Sequence, residues 1–227
     1  MTNLYVGWAS SQAAAYACKH WHYSRSVPAF GTVNVGVWEE QKFIGVVMFS
    51  RGASAQIARP FKLPQTQVCE LTRIALTQHA TPVSKLISIA VRMLRQQSPG
   101  VRVIVSFADE SRGHHGGIYQ ASNWIYTGGS ETTPYRIRGR VMQGKSVTNT
   151  WGTQQIEWLR RHVDASAHRF KVTKHRYVLA LDDEMRKVCE TLRKPHPKRP
   201  KHAMVDDQSA QRRGSTDPAA PPDNVPA

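Results

Sequence analysis

The stretch that most restricts the fold is residues 83–107. Val83, Leu86, Ile87, Ala90, Val91 and Leu94 repeat with the 3.6-residue period of a helix that buries one face. Thr81-Pro82 opens that helix, because proline's missing N–H is no loss in a first turn. It should run over Val83–Gln97. Val101–Phe107 (VRVIVSF) follows, a largely β-branched run suited to one buried strand that ends at Ala108-Asp109. Further strands are expected at Thr32–Trp38 and Phe43–Phe49, a hairpin through EEQK, and at Val68–Leu76, from Trp124 and at Arg176–Leu181. Short helices are expected at Ser11–His20, 118–123 and Thr153–Val163. No internal repeat is present. The order predicts an α/β fold, a central mixed sheet flanked by helices, with Val101–Phe107 as a central parallel strand.

Charge narrows the partner. Lys and Arg total 31 against 16 Asp and Glu, a formal net of +15. From Arg186 onward there are nine basic and five acidic residues, so residues 1–185 keep +11. A body that basic points to a polyanion, since neutralised phosphates release their counterions. The last forty residues are rich in Pro, Ala, Ser and charge and cannot recover their ordering entropy. The chain therefore divides into a folded domain, 1–185, and a basic, Pro-rich tail, 186–227, disordered from about Lys194. Its KPHPKRPK start could brush phosphates. Three scattered cysteines, Cys18, Cys69 and Cys189, favour neither a disulfide framework nor a zinc motif. No apolar run is long enough for a membrane span, and MTNLYVGWASSQ lacks the features of a secretory signal. A soluble, reduced, cytosolic chain is expected.

Several chemistries lack their signatures. There is no G-x-x-x-x-G-K-[ST], no G-x-G-x-x-G, no G-x-S-x-G and no H-x-E…P-C-x-x-C. Candidate site residues instead gather where the buried strand ends, the usual crevice of an open α/β sheet. That crevice would receive Ser106, Asp109, Glu110, His114, His115 and Tyr119. HWHYSR, residues 20–25, adds His22 and Tyr23 directly after the first helix. Plain packing, solvated turn histidines or a turn-capping Asp109 would produce the same signals.

GIYQASNWIYTGG, residues 117–129, resembles the helix-to-strand passage of GNAT acyltransferases. HYS at 22–24, LTRIAL at 71–76, SKLIS at 84–88, SFAD at 106–109 and GHHGGIYQASNW at 113–124 together resemble the Mom DNA-modification family of Mu-type bacteriophages. The resemblance spans residues 3 to about 183. It implies a GNAT-like enzyme of the host cell cytoplasm that converts adenine in double-stranded DNA to N6-carbamoylmethyladenine, which blocks restriction endonucleases.

N6 lies inside the stacked duplex, so the base must be extruded at a cost of roughly a few kcal/mol. Tyr23, Tyr119, Asn123 and Trp124 could stack on the base or bond its edge. The delocalised N6 lone pair calls for a base, Asp109 or His22, with Tyr119 orienting. Arg73 would hold a phosphate or carboxylate, or pair with Glu70. The resemblance also raises iron, on a His22–Asp109–His114 facial set.

GNAT enzymes cradle the coenzyme A pyrophosphate in a Gly-rich turn. Here the matching stretch, TQHATPVSKLI (77–87), has no glycine. Ser84, Lys85 and, from the strand, Ser106 are the remaining donor-side candidates. Two donors stay open, acetyl-CoA with further chemistry or glycyl-tRNA. Two other functions compete: a non-catalytic DNA-binding protein on this scaffold, and a conventional CoA-dependent acetyltransferase.

Overall fold

The computed structural model describes residues 3–28, 31–52, 54–110 and 113–197. Ten strands occur among them: β1 (Leu4–Trp8), β2 (Thr32–Glu39), β3 (Lys42–Ser50), β4 (Val68–Leu76), β5 (Val103–Asp109), β6 (Ile125–Thr132), β7 (Tyr135–Ile137), β8 (Arg140–Met142), β9 (His168–Arg169) and β10 (Val172–Ala180). The helices are α1 (Ser11–Trp21), α2 (Val83–Gln97), α3 (Gly117–Gln120), α4 (Gly144–Trp151), α5 (Ile156–His162) and α6 (Asp183–Thr191). A seven-stranded sheet runs β1-β2-β3-β4-β5-β10-β6. Every neighbouring pair is antiparallel except β4 with β5. The expected mixed sheet is present, and β5 is parallel on one side only.

Side-chain alternation assigns the faces. Leu86, Ile87, Ala90 and Leu94 of α2 pack on Val35, Val47, Leu71 and Ile104, which makes the periodic stripe read from the sequence the main core. On the other face Ala13, Ala14, Ala17 and Cys18 of α1 meet Trp38, Val46 and Met48. Met185 and Cys189 of α6 meet Val103, Val105 and Val178. Helix α6 runs across the boundary expected after residue 185, because these two residues give it an apolar face. Arg102 ties it to the sheet, 2.7 Å from both Asp182 and Glu184. The expected disordered tail lies outside the described residues from 198 onward. All three cysteines are buried and free. Among the described residues no helix is long and apolar enough to cross a membrane.

Two features of the sheet create the site. Strands β4 and β5 pair only from Val68–Glu70 to Val103–Val105 and then separate. Met48 pairs with Arg73 but Phe49 with Leu71, so Thr72 is an extra residue that bends β4 away. The second feature is a break between β6 and β10. Thr132 and Val172 are partners, and residues 133–171 leave and re-enter the sheet at that one rung. They form a separate three-stranded sheet, β8-β7-β9, with α4 and α5 around a small core of Tyr135, Ile137, Val147, Leu159 and Ala167.

Candidate active site

The separation of β4 from β5 leaves a cavity of about 700 Å³ that passes through the sheet. On the α2 side it is walled by Ile74, Val83, Ala108, Ile118 and Tyr119. On the α6 side it is walled by Phe107, Asp109, Thr127, Lys174, Arg176 and Lys194. His22, Tyr23, Glu70, Arg73 and His114 line it as well.

Asp109 ends β5, where its half-buried side chain lines the cavity; its Cα is in register with that of Lys174. Tyr119 is carried in by a tight turn. Gly116, at φ +85°, caps α3 from the left-handed region, and a Cβ there would overlap the Tyr177 ring. Only glycine meets both demands. The Tyr119 hydroxyl lies 2.7 Å from Ser106 Oγ, which in turn lies 2.8 Å from Leu71 O. A carbonyl can only accept. Ser106 therefore gives its one proton to Leu71, and Tyr119 donates to Ser106. Burial, against that bond, pushes the Tyr119 phenol well above its usual range. It is a neutral hydroxyl with a lone pair to offer, not a phenolate.

His22 follows α1. Its Nδ1 accepts from Ser24 N at 3.1 Å, with Ser24 Oγ at 2.8 Å. Because a backbone N–H can only donate, the neutral ring carries its proton on Nε2. In that tautomer Nε2–H is a donor. Tyr23 is 41% exposed and packs against both His22 (ring centroids 4.2 Å) and His114 (5.6 Å). His22, Asp109 and His114 all line the cavity. Among the described residues no three His, Cys, Asp or Glu side chains form a set that could hold a metal. The residues do not fit the facial iron set.

Other expected positions differ too. Trp124 is buried, packed on Tyr119 at 5.2 Å, with no hydrogen-bond partner for its indole N–H among the described residues. Asn123 is exposed at φ +60°, turning the chain into β6, and lines no part of the cavity. Ser106 supports Tyr119 from the core and is 1% exposed. Ser84 and Lys85 lie in the first turn of α2, where only Val83 reaches the cavity. Arg73 lines it, donating to Thr72 O at 2.7 Å and reaching Ser26 O at 3.5 Å. Burial raises the Cys69 thiol to about 12 and Cys189 to about 11, so neither supplies a thiolate.

Three contributors escaped sequence reading. Phe107 is 38% exposed and faces the α6 side, although its run reads as uniformly buried. Arg176 is a half-buried cation whose Nε donates to Thr127 Oγ1 at 2.7 Å, and burial lowers its pKa. With Lys174 and Lys194 it makes a cationic wall with no ion pair among the described residues. Glu39 is the third. Its buried carboxylate accepts from Ala80 N at 2.8 Å and Thr81 N at 2.7 Å. Burial alone would raise its pKa; the bonds from Thr81 and Ala80 outweigh that and hold it low. These are amides of the turn before α2. Here an internal anion holds them.

Comparison with known proteins bears on this geometry. A methylcarbamoylase, Mom, of Escherichia phage Mu is 29% identical over 186 residues, covering 78% of this chain and 76% of that protein. A solved structure from Acinetobacter baylyi, described as a candidate acetyltransferase, is 10% identical, with a TM-score of 0.47 over 88% of this chain and 98% of its own. The residue profile of the Mom proteins matches residues 3–198. By that match, over most of its length, the chain belongs to the Mom protein family.

Proposed function

We propose that this chain is a transferase that modifies N6 of adenine in double-stranded phage DNA, giving N6-carbamoylmethyladenine and protecting that DNA from host restriction. The observation that carries the reading is the through-sheet cavity, with a carboxylate at the end of β5 beside a group of cations on the same wall, in a member of this family. A base extruded from the duplex stacks on Tyr23, an exposed aromatic of the cavity, in place of the buried Trp124. Asp109 takes the N6 proton as the new bond forms. Tyr119 accepts a hydrogen bond from the substrate while donating to Ser106, and His22 donates through Nε2. Arg176 and Lys174 hold an anionic group beside the reacting centre.

The product puts –CH2–CO–NH2 on a ring-bound nitrogen, and a glycyl ester supplies both carbons and one nitrogen. N6 attacks the ester carbonyl, the alcohol leaves, and N6-glycyladenine forms. Its free amine then attacks C6 through a five-membered ring. The C6–N6 bond breaks, and the original N6 departs as the carboxamide. No redox step is needed. Glycyl-tRNA is the glycyl ester of the cell, and the Glu39 carboxylate on the Ala80 and Thr81 amides supports a donor other than coenzyme A. The test is nucleoside mass spectrometry on plasmid DNA from cells with and without this chain. Absence of the modified adenine refutes the function. Purified protein that modifies DNA with acetyl-CoA and no aminoacyl-tRNA refutes the donor alone.

A further inference from the structure

The insertion at the β6–β10 rung has a charge that the sheet does not share. Residues 133–171 hold eight Lys and Arg against two acids, a net of +6 out of the +11 carried by residues 1–185. More than half of that excess therefore sits on about a fifth of the domain. One of the two acids is already used within the insertion. Asp164 accepts from the backbone N–H groups of Arg138 and Ser166 and from the Ser166 hydroxyl.

Lys171 pairs with Glu131 at 3.4 Å, but most of the cations are displayed rather than paired. Arg136 lies over the Phe170 ring and Arg169 over the Tyr135 ring, each 5.1 Å from the centroid, which limits their freedom before any ligand arrives. Arg140, Lys145 and Arg161 are exposed and make no ion pair among the described residues. Trp158, 38% exposed, stacks on His162 on the same helix as Arg161. Position completes the case. Ser130 and Lys174 are partners on one rung and both line the cavity. The insertion starts at the Thr132–Val172 rung, two residues on, or about 7 Å at the usual rise per strand residue.

We propose that residues 133–171 are a docking module that grips the phosphodiester backbone of double-stranded DNA beside the cavity, so that the target base is held at the mouth. The assignment of the polyanion as DNA rests on the adenine reading above. Charge density, exposed guanidinium groups and a small self-contained core suit contacts that position a duplex without reading its sequence.

The test uses the full-length chain carrying Arg140→Gln, Lys145→Gln and Arg161→Gln together. Affinity for a DNA duplex is measured across a salt series, with tRNA as a parallel ligand. The slope of log affinity against log salt should fall by about 2–3, because each neutralised phosphate contributes about 0.9 to it. At 0.1 M salt each phosphate deprived of its cation should weaken duplex binding by up to about eightfold. A second variant replaces residues 133–171 with Asn-Gly, a two-residue turn that can join antiparallel partners. It should keep a cooperative melt and lose most of its duplex affinity. The glutamine variant decides alone where the shortened chain fails to fold. An unchanged duplex slope overturns the proposal, as does a loss confined to tRNA. If the slope changes as expected but the wild-type chain leaves adenine unmodified, the enzymatic reading is refuted and the module stands.

Discussion

Gly116→Ala is the substitution most directly constrained by the geometry. Gly116 sits at φ +85°, and alanine in the left-handed region costs roughly 1–2 kcal/mol. The new Cβ would also overlap Cε2, Cζ and OH of Tyr177. That ring cannot retreat. Tyr177 is fully buried, packs on Tyr119 at 5.1 Å and Tyr126 at 5.2 Å, and its hydroxyl donates to His115 O at 2.7 Å. Overpacking of that kind costs roughly 1–3 kcal/mol, for a total of roughly 2–5 kcal/mol. For a domain of this size the melting temperature should drop by roughly 4–20 °C. Gly113→Ala is the internal control. It lies three residues earlier at φ +77° with open space around its Cβ, so only the backbone cost applies. Circular-dichroism melts of both variants separate the two costs. Modification activity should fall further in Gly116→Ala, because Tyr119 is displaced with the turn. Equal melting temperatures for the two variants would show that the Tyr177 contact does not govern this turn.

Asp109→Asn should abolish the modified nucleoside while duplex affinity stays at the wild-type level, since Asn cannot take the N6 proton; wild-type nucleoside levels would exclude Asp109 as the base. Deleting residues 198–227 removes five basic and four acidic residues, so modification should persist and the salt slope should change by less than about 1. Loss of modification in a stably folded truncation would contradict that. Asp182→Asn keeps the α6 cap on Met185 N but removes the charge that pairs with Arg102. The Arg102 bond holds the Asp182 carboxyl below its usual value, so its stabilisation is complete above the unfolded value, about 3.9, and is lost as pH falls through the lower folded one. The variant should therefore melt lower than wild type near neutrality, with the gap closing below about pH 4; a gap independent of pH would rule out the charge as its source.

Periodicity and chemistry carried by single segments were legible without coordinates. The apolar stripe of α2 is a local pattern, and it buries Leu86, Ile87, Ala90 and Leu94 as expected. The β2–β3 hairpin was legible from two strand-forming runs joined by EEQK, although its Glu40-Gln41 turn takes positive φ without glycine or asparagine. Asp109, His114 and Tyr119 reach the cavity from a strand end and the turn after it, where an open sheet forms its crevice, and His22, Tyr23 and Arg73 line it from other elements. The excess of positive charge was also plain from counting. Side-chain partners across the sheet were not. Whether Ser106 faces substrate or Tyr119 depends on which face of β5 meets α3. Phe107 is exposed beyond the last β4–β5 pair, Glu70 with Val105, where the two strands have separated. Glu39 reaches the Ala80 and Thr81 amides across more than forty positions of sequence. The inserted module escaped because strands of two or three residues have no readable period. Its charge could be counted from the sequence, but that residues 132 and 172 are partners on one rung is a long-range contact that only the folded chain defines.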